Sequence, residues 1–128
     1  MKYPTEFRYT KDHEWAKIDG RRARIGITDH AQTALGDIVF VELPAVGREL
    51  KHHETFGVVE SIKAVSDLFS PLAGKVVAIN TSVAQDPGAL NRDPHGEAWL
   101  IELEIADPKS VEDLLDASSY EGFVSTLS

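Results

Sequence analysis

Short runs in which apolar and polar residues alternate, broken by turn residues, recur along most of the chain. Residues 14–19 (Glu-Trp-Ala-Lys-Ile-Asp) alternate and stop at Asp19-Gly20, and residues 21–27 alternate again. A period of two sends successive side chains to opposite faces of a strand, so a turn pair between two such runs predicts a hairpin. Thr28 predicts the N-cap of a short helix over residues 29–35: Asp29 suits the positive end of the helix dipole and Gly36 suits the C-terminus. Residues 37–43 form a β-rich run closed by Pro44, with a loop around Gly47. After a turn at residues 71–74, the runs 75–80 and 98–105 predict strands, the second polar at Glu102 and Glu104. Between them, residues 84–98 hold two Asp-Pro pairs and predict a loop. Asp107-Pro108 predicts a cap and first turn for a helix reaching residues 114–116, and residues 118–128 predict a second short helix. The sum is a mostly-β sandwich or barrel with helical additions, one domain over residues 1–128 whose helical extension starts near residue 107. Gly47-Arg48-Glu49-Leu50 and Gly88-Ala89-Leu90 each precede a strand-like run, a weak sign of a duplicated half.

Residues 56–69 are ambiguous. Val58, Ile62, Val65 and Phe69 recur at helical spacing, and local pattern favours an amphipathic helix. The alternative is two strands, 57–61 and 66–70, joined at Lys63-Ala64, a turn without the Asn-Gly or Asp-Gly chemistry that drives tight hairpins.

Charge and composition narrow the function. Thirteen Lys and Arg face 21 Asp and Glu, a net charge of −8. That argues against nucleic acid, whose phosphates need a basic face, and suits basic protein surfaces and cationic ligands. No stretch approaches the roughly 18 uncharged apolar residues of a membrane span. With no cysteine there is no disulfide, thiolate nucleophile or Cys-based metal site, which fits a reducing compartment. Phosphate-binding loops and a Gly-x-Ser-x-Gly elbow are missing. His52-His53 would point to opposite faces of a strand and reads as a solvated pair. His13, His30 and His95 sit near acids without metal-ligand spacing, so no metal site is expected. The C-terminal acids, Glu102 to Glu121, read as a solvated face.

The segment Glu60-Ser61-Ile62-Lys63-Ala64, followed by Ser66-Asp67-Leu68-Phe69-Ser70-Pro71 and Gly74, resembles the lipoyl-lysine segment of the H proteins of the glycine cleavage system. Thr10-Lys11-Asp12-His13-Glu14-Trp15 resembles that family's opening motif. The runs Ile25 to Gln32 and Leu35 to Pro44 resemble its second and third blocks, and Asn91 to Gly96 with Trp99-Leu100 its late block. His95 stands where the family more often has Tyr, and Ala98 where Gly is common before the Trp.

The resemblance implies a lipoyl-domain-like β-sandwich, a barrel-sandwich hybrid, with Lys63 at the tip of a tight hairpin. This overrules the helical reading of residues 56–69. It implies a carrier without catalytic turnover, bearing lipoic acid in amide linkage to Lys63. Glu60, Ser61, Ile62 and Ala64 would guide the lipoate-attaching enzyme. The arm would take an aminomethyl group from the pyridoxal-phosphate-dependent glycine decarboxylase to a tetrahydrofolate-dependent aminomethyltransferase, and dihydrolipoamide dehydrogenase would reoxidise it. Glu14, His30 and Asp67 match positions of a cleft that shelters the loaded arm. The alternatives are a lipoyl donor or relay, and a lipoyl domain serving a 2-oxo acid dehydrogenase complex. Those domains usually carry Asp-Lys-Ala where this chain has Ile62-Lys63-Ala64. The N-terminus has neither signal core nor transit pattern, so the cytoplasm is expected, or the mitochondrial matrix for a mature organellar chain; a mobile shuttle is best served by a monomer.

Overall fold

The computed structural model describes residues 3–127. Among these residues nine strands form two open sheets. The larger has the order β1 (Phe7–Tyr9), β2 (Glu14–Asp19), β3 (Arg22–Ile27), β9 (Ile101–Ile105), β8 (Gly74–Ile79), β5 (Glu49–Leu50). The smaller has β6 (Thr55–Ser61) between β4 (Ile38–Glu42) and β7 (Val65–Phe69). Each recorded strand pair is antiparallel, so alternation survives as one buried and one wet face. Ala16, Ile25, Val76, Ile101 and Leu103 of the large sheet and Val41, Phe56, Val59 and Leu68 of the small one are buried in one core. A second cluster packs Tyr120 of α4 (Ala117–Ser125) against Tyr9 and Trp15. No helix among the described residues is long and apolar enough to cross a membrane.

The wet face of the large sheet is a charge ladder. Asp19 lies opposite Arg22, Arg22 opposite Glu104, Glu104 opposite Lys75, and Lys75 opposite Glu49. Opposite charges in cross-strand register favour the pairing.

The β-sandwich and the helix α1 (Asp29–Leu35) agree with the sequence reading. Thr28 caps α1, its hydroxyl accepting from the Ala31 amide, and Gly36 ends it. Residues 56–69 form the hairpin β6–β7 and not a helix. Val59 and Leu68 meet the core there while Val58 and Val65 face outward, a sorting that only a period of two permits.

Other expectations need correction. The segment predicted as loop contains two short helices, α2 (Thr81–Gln85) and α3 (Ala89–Arg92), because Val83, Ala89 and Leu90 turn into the core. The helix after Asp107 is a 3-10 helix, Pro108–Asp113. It stops because Leu115 exchanges two backbone hydrogen bonds of 2.8 Å with Tyr9. The duplicated half does not hold: the Gly47 run leads into β5 and the Gly88 run into α3. Strands β1 and β5, of three and two residues, are too short for a periodic signal.

One glycine sets how closely the small sheet packs. A Cβ on Gly57 would run into the Glu42 carbonyl oxygen of the neighbouring strand. Gly57→Ala is therefore expected to cost about 2 kcal/mol by forcing β4 and β6 apart. Urea unfolding checks this; a midpoint equal to wild type would show that the strands move apart freely.

Candidate functional site

Lys63 stands at the tip between β6 and β7. Ser61 occupies the first position of the four-residue turn, a place that favours Asp, Asn and Ser. Its Oγ accepts from the amides of Lys63 (3.3 Å) and Ala64 (3.1 Å), while its own amide donates to the Ala64 carbonyl (2.8 Å). The hydroxyl thus holds the amides that a glycine turn would otherwise arrange. The tip is tied sideways as well, since the Ile62 amide donates to the Asp37 carbonyl at 3.0 Å. Ile62 is 71% exposed, and Lys63 and Ala64 are exposed beside it. The Lys63 stem lies along Gly36, where a Cβ would sit 3.4 Å from Cε. Its ammonium thereby rests near the negative end of α1. Glu60 faces outward at the end of β6, half-buried, opposite Val65.

The position of this tip traces back to Asn91. Its side-chain oxygen accepts from the Ile38 amide (2.9 Å), and its amide nitrogen donates to Gln32 Oε1 and the Gly36 carbonyl (both 2.9 Å). One side chain thus locks the C-terminus of α1 to the start of β4.

At the far end of β7 lies a buried carboxylate. Glu14 begins β2, is 2% exposed, and accepts from Thr10 Oγ1 (2.7 Å) and from the Phe69 amide (3.4 Å). Burial pushes its pKa up to about 7, against the opposing pull of those two donors. It lines an open cleft of about 230 Å³ with Asp12, His53, Ser70 and Leu114. His53 stacks flat on Phe69 (4.7 Å between centroids) and its Nε2 lies 2.8 Å from Asp12 Oδ2, bridging two loops beside Glu14. Asp67 stands on the exposed face of β7, two residues before Phe69. From Val65 to Phe69 the edge strand covers four steps, about 13 Å.

His30 is not among the residues lining this cleft. It sits in the first turn of α1 with its ring 4.4 Å from that of His13. His13 is half-buried, with Nδ1 2.7 Å from the Tyr120 hydroxyl, which also meets Thr28 Oγ1 at 2.7 Å. Burial and the His30 charge both lower the His13 pKa, favouring a neutral ring. His13 therefore anchors α4 to the turn that presents Glu14. His95, also lowered by burial, accepts from the Asp29 amide at 3.0 Å and completes the N-terminal end of α1. The pairing of His53 with Asp12, 41 residues apart in sequence, left no trace in local pattern.

A family model described as "Glycine cleavage H-protein" matches residues 7–127. The chain belongs to the glycine cleavage H-protein family. The glycine cleavage system H protein of Symbiobacterium thermophilum is 52% identical over 120 residues, 94% of each chain. That of Koribacter versatilis is 54% identical, covering 96% of this chain and 94% of its own. The crystal structure of the glycine cleavage system H protein from Mycobacterium marinum is 42% identical, with a TM-score of 0.88 over 96% of this chain and 99% of that one. The H-protein blocks seen in the sequence are thus the pieces that frame two places: Asn91 and Ser61 the tip, Thr10 and Glu14 the cleft.

Proposed function

We propose that Lys63 carries lipoic acid as an amide and that the chain shuttles one-carbon cargo in glycine cleavage without turnover of its own. The observation that supports this most is the pairing of an exposed lysine tip with a buried carboxylate at the other end of the same edge strand. The residues fit such a group. The Lys63 amine stands at an exposed tip beside a glycine, so an attaching enzyme reaches it without moving the fold. Glu60, Ser61, Ile62 and Ala64 form the surface which that enzyme reads. When bound, the lipoyl group supplies a disulfide that accepts the aminomethyl unit left as glycine loses carbon dioxide.

The chain's own residues supply shelter. Glu14 offers a buried carboxyl that lines the cleft, a partner for an amine. Asp67 provides a second negative charge on the way from the tip, and His30 packs on the His13 ring, which holds α4 to the turn preceding Glu14. The partners under this reading are the pyridoxal-phosphate-dependent glycine decarboxylase, the aminomethyltransferase, dihydrolipoamide dehydrogenase and a lipoate-attaching enzyme. Tethering lets one arm visit their sites in turn at high effective concentration.

The test is reconstitution. The chain expressed in a lipoate-competent host is expected to gain the mass of one lipoyl group. It should then support decarboxylation of glycine only when glycine decarboxylase is added. A chain that stays unmodified beside an active lipoate ligase would sink this reading.

A further inference from the structure

The two wet sheet faces of this molecule differ in kind. On the large sheet, acids and bases alternate across the strands and neutralise one another. On the small sheet, the register builds a checkerboard instead. Phe40, Glu60 and Val65 form one row, and Glu42, Val58 and Asp67 the next. Each row crosses three strands, and acids and apolar side chains swap places between rows. Phe40 and Val65 are 47% and 67% exposed. None of the three carboxylates joins an ion pair among the described residues. Arg48, which shares an open pocket with Glu42, is committed to Glu54 and the Thr55 carbonyl at 3.0 Å each.

We infer that this face, next to the Lys63 tip, is where the chain docks on its enzyme partners. Its occupant is a protein surface that sets Arg or Lys side chains between apolar ones. The inference rests on the shuttle reading and adds the surface and its chemistry. Exposed valine and phenylalanine gain by leaving water only if something covers them. The interleaved carboxylates admit only a cover that brings cations, which selects against neutral or acidic partners. Strands stand about 4.8 Å apart, so Glu42 and Asp67, on either side of Val58, require partner cations roughly 10 Å apart. The six positions make a small patch, suited to a transient encounter that charge accelerates and that ends quickly. Acylation of Lys63 removes the one cation at the tip, so the modified chain presents the more negative face.

The test varies the lipoylated chain as substrate of glycine decarboxylase, at saturating glycine and at low and high salt. Glu42→Lys is expected to raise the KM for the chain about tenfold at low salt, leave kcat unchanged and flatten the salt dependence. Phe40→Ser should raise KM without changing the salt slope. Glu104→Lys makes the same change of net charge on the large sheet and should leave KM near wild type. Intact mass of each variant confirms equal lipoylation. Equal effects of Glu42→Lys and Glu104→Lys would mean that overall charge does the steering and would overturn the face, as would no effect of either. A lipoylated wild type that the decarboxylase does not use would remove the shuttle reading and the face with it.

Discussion

Lys63→Arg is expected to abolish lipoylation and every transfer that depends on it, while leaving the fold intact. The guanidinium keeps a positive charge beside the C-terminal end of α1, so the local electrostatics hardly change. The side chain is exposed, and the turn is held by Ser61 and by the Ile62 amide, neither of which needs a lysine next door. Stability should therefore stay within about 0.5 kcal/mol of wild type, as for surface substitutions in general. The guanidinium is not a free amine, so no amide to lipoate forms. Intact mass should show an unmodified chain, and glycine decarboxylation with added decarboxylase should fall to the level without any carrier. Residual lipoylation of the variant would place the attachment at one of the other lysines. An unmodified variant that still supported transfer would show that the arm is not needed. A comparable Ser61→Ala variant separates geometry from chemistry: it keeps the lysine but frees the Lys63 and Ala64 amides, so it should be lipoylated more slowly yet still to completion.

What the sequence revealed of this fold followed from how much of each element's stability is local. The β2–β3 hairpin and α1 were legible because their signals lie within a few residues: alternation to Asp19-Gly20, then Thr28 and Gly36 bracketing seven residues. The β6–β7 hairpin was not. Its turn is held by a serine hydroxyl and a backbone bond to Asp37, and its two faces are sorted by a core that local pattern cannot see. Resemblance to the H proteins, not periodicity, pointed to strands there. The small helices α2 and α3 failed for the converse reason. Their composition reads as loop, and burial of Val83 and Leu90 overrides it.

The candidate site divides in the same way. Lys63 and its flanking motif are contiguous in sequence and were readable. Glu14 was readable only by resemblance, because nothing in Glu14-Trp15 announces a 2% exposed carboxylate. The partners that shape its cleft come from four separate stretches, around residues 10–12, 53, 69–70 and 114. His13 and His53 are the two non-glycine residues with positive φ among the described residues, at 69° and 67°. Both lie beside this carboxylate, so backbone strain is concentrated there, as is common where function constrains the chain.

Glu14→Gln should change the pH dependence of stability more than any other single substitution here. In the folded chain burial pushes the Glu14 pKa up to about 7, whereas an unfolded glutamate titrates near about 4.3. Between those values the native state binds more protons than the unfolded state. The slope of stability with pH is then negative, so this group lowers stability as pH rises from about 4.5 to about 7 and has no further effect above that. The full excursion is about 4 kcal/mol, reduced to the extent that water enters the open cleft. Glutamine still accepts from Thr10 but does not ionise, so the excursion should vanish. Urea unfolding of both chains at intervals from pH 4.5 to 8 should show the variant gaining on wild type as pH rises. Parallel curves would mean that the carboxyl is hydrated in the folded chain and titrates like any surface acid. The functional consequence follows from the same proton. Near neutral pH a carboxyl with a pKa of about 7 is protonated about half of the time, and the uncharged form tolerates burial. A neutral amine brought beside it takes that proton and leaves an ion pair, so cargo binding needs no proton from solvent. Glu14→Gln cannot make this exchange, and the lipoylated variant should release its cargo to water faster than wild type. Ammonia appearing in the absence of aminomethyltransferase measures that leak, and an unchanged leak would assign the shelter to other residues.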